Sequence, residues 1–175
     1  MKPIAIGLLA LAIAAPARAQ VPWNPRAPEN NQLFSAFSEA TVGTVLSDIR
    51  ARYQRQPGDP ARPIIVATFP NGKRAVVSLL ACTSNGSACK ALGIQASWNP
   101  PAGAPAAQLV QAVERFNQRY SFSKAYLTAA GRPALQRYLT ADYGFIRGDL
   151  AVNLLVFADQ EEKFMAEVLR PLVKP

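Results

Sequence analysis

Residues 64–98 are written as three apolar runs whose connections are too short for anything but antiparallel pairing. The run 64–69 turns through Pro70-Asn71-Gly72-Lys73 into the run 74–82, and the stretch from Cys82 to Cys89 encloses Asn85-Gly86, a dipeptide suited to tight hairpin turns. A parallel return would need a dozen or more residues of crossover, and none is present. Ile64-Ile65-Val66 and Val76-Val77 are β-branched as strands prefer, and the near-continuous apolar stretch 75–81 reads as a central strand. The third strand ends at Trp98. An antiparallel meander is therefore the fixed point around which the rest must pack.

Helices flank it. Ser38 is placed to cap a first helix, with Val42, Val45, Leu46, Ile49 and Tyr53 at helical spacing on one face and Arg50, Arg52 and Arg55 at its carboxyl end. The stretch 56–60, Gln-Pro-Gly-Asp-Pro, closes that helix. After a proline-glycine loop over 99–104, Pro105 opens a second helix in its first turn, with Leu109, Val113, Phe116 and Tyr120 as its buried stripe. A second hairpin is expected from 122–128 and 135–141. A last helix follows Gly144 and Gly148, carries Leu150, Leu154, Phe157, Phe164, Met165 and Val168, and stops at Pro171. The predicted order is α-β-β-β-α-β-β-α, a single α+β domain with a five-stranded antiparallel sheet and helices packed on it.

The amino terminus sets the compartment. Lys2, an apolar run over 4–15 and the small-residue exit Ala17-Arg18-Ala19 have the layout of a secretory signal peptide, cut after Ala19. The run is too short to span a bilayer and Pro16 interrupts it, while the last helix carries Asp159, Glu161, Glu162 and Lys163, so no membrane span is expected. Residues 20–37, rich in proline and asparagine at their start, read as an extended linker before a domain over 38–172. The expected location is the periplasm or the exterior.

Composition then narrows the chemistry. The chain contains no histidine, which excludes serine-histidine and cysteine-histidine nucleophilic sites and removes the commonest transition-metal ligand; neither a cofactor nor a metal is expected. In an oxidising compartment Cys82 and Cys89 favour a structural disulfide across the hairpin, because Cys-x6-Cys is not the spacing of a thiol redox motif. The formal charge is +8, and removal of Lys2 and Arg18 with the leader takes it to +6. In an exported protein this does not point to nucleic acid. It leaves open an acidic protein, an anionic envelope surface, or solubility alone.

The stretch 116–127, Phe-Asn-Gln-Arg-Tyr-Ser-Phe-Ser-Lys-Ala-Tyr-Leu, followed by Gly131 and Asp142-Tyr143-Gly144, resembles the centre of the YbjN family of bacterial proteins, and the helix start at 38–46 and the Cys82/Cys89 to Trp98 stretch fit it as well. The resemblance implies a fold like that of type III secretion chaperones, a bent sheet of five antiparallel strands with helices against it. It also implies a regulator of sensory transduction with no established enzyme activity or ligand. The leader sets this chain apart from cytoplasmic members.

The resemblance transfers positions rather than roles. Asn117, at the margin of an apolar stripe, suits a bond to the following loop or a ligand contact. Phe122 and Tyr126 fall on one strand face at period two, which is packing, although Tyr126 with Arg115, Arg119 and Arg137 would also form an anion or peptide site. Asp142 and Asp149 suit the start of the last helix. The functional expectation is a non-catalytic module for an envelope protein or peptide, with a homodimer among its forms; the alternative is a binder of a small anionic ligand or surface.

Overall fold

The computed structural model describes residues 23–173, so the predicted leader and its cleavage point lie outside the described residues. A 3-10 turn, Pro28–Asn31, leads into β1 (Leu33–Phe34). Helix α1 (Glu39–Asp48) begins where expected: Ser38 Oγ accepts from the Thr41 amide at 3.1 Å, and the Ser38 amide donates to Thr41 Oγ1 at 2.8 Å. This reciprocal cap satisfies amides that the first turn leaves without intrahelical partners.

The helix ends one turn earlier than its apolar spacing suggests. Arg50 takes a left-handed φ of 62° and the Ala51 amide returns to the Leu46 carbonyl at 2.8 Å, which reverses the chain. Tyr53, Arg52 and Arg55 are therefore not helical; they form β2 (Arg52–Arg55), which pairs antiparallel with β3 (Ile64–Thr68). The meander continues as β4 (Arg74–Cys82) and β5 (Cys89–Ser97). Helix α2 (Ala106–Arg119) follows, with Pro105 as its cap residue rather than in its first turn. The second hairpin is β6 (Lys124–Leu127) and β7 (Pro133–Thr140). Then come β8 (Phe145–Ile146) and α3 (Arg147–Phe164), prolonged by a π-helical turn, Met165–Leu169.

The main sheet has the order β2-β3-β4-β5-β7-β6, every pair antiparallel. It holds six strands rather than five, and β2 is the addition. The described part of the expected linker is not free either: β1 pairs with β8, Asn30 is buried, and the Arg147 amide donates to the Gln32 carbonyl at 2.9 Å. Gly148 lies within α3 rather than before it, and its lack of a side chain lets Asn30 pack on the helix: a Cβ there would stand 3.0 Å from the Asn30 side chain.

Helices α1, α2 and α3 contribute to one apolar core with one face of the sheet. Ile65, Val77, Leu79, Leu92, Ile94 and Leu135 point into it, and Leu46, Leu154, Phe157 and Phe164 meet them from the helices. Phe164 stacks on Trp98 at 5.1 Å between centroids and meets Phe116 edge-on at 5.1 Å, which ties α2 and α3 to the end of β5. Asp48 and Arg147, 99 residues apart in sequence, join α1 to α3 by an ion pair.

Candidate functional site

The second face of the sheet is set by the period of two. Across all six strands one row reads Gln54, Val66, Val76, Gln95, Gln136, Lys124 by direct register. The rows beside it hold Ile64, Ser78, Gly93 and Tyr138 on one side, and on the other Arg52, Thr68 and Arg74 together with Ser97, Ala134 and Tyr126. None of these residues belongs to the apolar core cluster. Ile64 at 38%, Val76 at 39% and Tyr138 at 54% exposure are large apolar side chains left to solvent on this face. Val66, Arg74, Val76, Gln95 and Ser97 border an open hollow of about 390 Å³.

The residues singled out from the sequence do not converge. Tyr126 is on the open face, where its hydroxyl accepts from Gln95 Nε2 at 2.8 Å. Arg137 lies on the helix-covered side: its guanidinium donates to Asn153 Oδ1 at 3.2 Å and to the Phe122 carbonyl at 2.8 Å, and it stacks over the Phe122 ring at 4.4 Å. Phe122 precedes β6 and turns to that side, so it does not share a face with Tyr126. Asn117 bonds both backbone groups of Ala125, donating to the carbonyl at 2.9 Å and accepting from the amide at 2.8 Å, which fastens β6 to α2.

Arg115 and Arg119 are the pair that does come together. They flank a groove of about 250 Å³ between α2 and the π-helical turn, with Phe116 and Val168 as its apolar lining. An internal carboxylate already serves Arg119: Glu167 Oε2 lies 3.3 Å from its Nη1, and Glu167 Oε1 accepts from the Tyr120 hydroxyl at 2.6 Å. That hydrogen bond holds the Tyr120 phenol above its usual pKa.

One acid was not marked as special by its pattern. Glu161 is 2% exposed on α3, and burial pushes its carboxyl up to about 8 despite Lys73 nearby and a hydrogen bond from the Arg74 amide. Its Oε1 has no hydrogen-bond partner among the described residues. It faces the β3–β4 turn rather than a cleft, so its position reads as a buried contact between helix and turn and not as an acid poised over substrate. Among the described residues there is no group of three or more histidine, cysteine or acidic side chains disposed to hold a metal, and no helix is long and apolar enough to cross a membrane.

Cys82 and Cys89 are cross-strand partners joined by a disulfide. Such bonds persist where the surroundings are oxidising. The hairpin tip that the disulfide closes packs on the loop between β2 and β3, with Gly86 against the carbonyl of Pro60.

Fold and face together define a single α+β domain whose antiparallel sheet is packed with helices on one side and presents the other. The family model for YbjN, described as "putative bacterial sensory transduction regulator", matches residues 38–170, and the chain belongs to this family. No curated protein matches the chain.

Proposed function

We propose that the mature chain is a non-catalytic binding or regulatory module of the periplasm, working by engagement of an envelope protein or peptide. The observation that carries this reading is the open sheet face with its exposed Ile64, Val76 and Tyr138, a surface of the kind that sheet-on-sheet or strand-on-sheet association covers. The leader-like residues 1–19 and the Cys82–Cys89 disulfide support an exported location. The family's description as a regulator supports a protein partner.

The reading that places a small anion at Arg115 and Arg119 has a groove to support it, and the Glu167 carboxylate beside Arg119 weighs against it. Co-purification tests the first reading: the chain, tagged at its carboxyl end, is recovered from its own envelope after reversible crosslinking. A stoichiometric protein partner, or a second copy at the matching mass, is expected. Recovery of the monomer alone would contradict the proposal, as would turnover of a small molecule abolished by one side-chain change.

A further inference from the structure

The charge pattern of the open face identifies the chemistry of what covers it. The chain has 11 acidic residues, and not one lies in the six strands of the main sheet; all are on helices, helical turns and loops. The open face nevertheless carries three cations, Arg52 and Arg74 in one row and Lys124 at the far edge of the next. The internal ion pairs among the described residues engage Arg55, Arg119, Arg147 and Lys163, and none involves these three. Between them lie Val66, Val76 and Tyr126, with the amides of Gln54, Gln95 and Gln136 in one line. At about 4.8 Å between strands that line is roughly 24 Å long, the reach of a seven- to eight-residue extended peptide.

We infer that this face docks an acidic extended segment of a protein partner, one whose inner side alternates carboxylates with aliphatic side chains. This rests on the binding-module reading and names the partner's chemistry. Arginine forks at Arg52 and Arg74 take carboxylates, Ile64, Val76 and Tyr138 take the aliphatic positions, and the glutamine line supplies donors between them. Residues 1–22 and 174–175 contain no aspartate or glutamate, so neither stretch meets that description. A face-to-face pair of copies would set arginine and lysine against their like. A lipid surface calls for a denser cluster, about four to eight basic residues together, whereas three separated cations with apolar side chains between them suit a peptide.

The test uses the mature chain and a labelled peptide of alternating glutamate and valine, with its lysine-valine counterpart, dextran sulfate and phosphatidylglycerol vesicles beside it. The glutamate-valine peptide binds, and its affinity falls with added salt. Arg74→Glu combined with Lys124→Glu, both exposed and outside the core, weakens it by about tenfold or more and confers binding of the lysine-valine peptide. The Arg115→Ala plus Arg119→Ala variant leaves it unchanged. Equal affinity in wild type and the reversed variant, no binding of the glutamate-valine peptide, or preference for dextran sulfate or vesicles would each overturn the inference. If a partner is captured in the envelope while the peptide fails to bind, the binding-module reading stands and the acidic-segment inference falls.

Discussion

Glu161 places a carboxylate inside the contact between α3 and the β3–β4 turn, and its protonation is coupled to folding. Its value of about 8 in the folded chain lies above the ordinary 4.5, so between those limits the folded chain keeps a proton that the unfolded chain releases. Its neutral form gives full stability below about pH 4.5, and that contribution is lost as pH rises toward 8, by at most about 1.4 kcal/mol per unit. Glu161→Gln is expected to be more stable than the wild type at pH 8 and to flatten urea-denaturation stability across this window; an unchanged pH slope would contradict it. Gly86 offers a second test at this scale. It sits at φ 69°, and a Cβ would stand 2.1 Å from the Pro60 carbonyl oxygen. Gly86→Ala is expected to cost at least about 2 kcal/mol, the left-handed penalty plus a backbone clash, in the same denaturation measurement. The Asn-Gly turn is legible in the sequence; its packing on Pro60 is not, because that contact is made by a loop distant along the chain. Glu161 is hidden for a related reason. A charged residue next to Glu162 and Lys163 looks like a solvated helix face until the fold brings the β3–β4 turn over it.

The elements whose signals are local are those that the sequence shows clearly. The Ser38 cap of α1, the meander β3–β4–β5 and the β6–β7 hairpin each depend on neighbours within a few residues, and each is present. Strand β2 is not legible because Arg-Tyr-Gln-Arg has no apolar alternation, and Tyr53 falls by accident on the helical stripe of Ile49. It becomes a strand through pairing with β3, after the left-handed turn at Arg50. The β1–β8 ladder is equally non-local. At this scale the disulfide should matter most, since the chain-entropy argument gives about 2 to 3 kcal/mol for so small a loop. Cys82→Ser is expected to lower the melting temperature, and protein isolated without a reductant should show no free thiol. Quantitative alkylation of both cysteines without a reductant would contradict the bridge. Ser38→Ala should cost about 1 kcal/mol through loss of the cap, read from the denaturation midpoint.

At the scale of the molecule, the helices cover one side of a six-stranded sheet and the acidic residues stay off its strands. Arg119 and Arg137, read in the sequence as parts of one site with Arg115 and Tyr126, instead fasten helix to helical turn and sheet to α3, while Asn117, read as bonding the segment after its helix or a ligand, fastens β6 to α2. Side-chain type alone does not reveal which partner a long polar residue will find, and each of these found one inside the fold. The face itself was partly legible, since alternation within each strand predicts two sides. Which side the helices take depends on the whole assembly. The most direct test of the account is photo-crosslinking in living cells, with benzoylphenylalanine placed at Val76 or Tyr138 on the open face and at Val152 on the exposed side of α3. Crosslinks to a protein partner from Val76 and Tyr138 but not from Val152 are predicted; crosslinks from Val152 alone would contradict the assignment of the sheet face as the working surface.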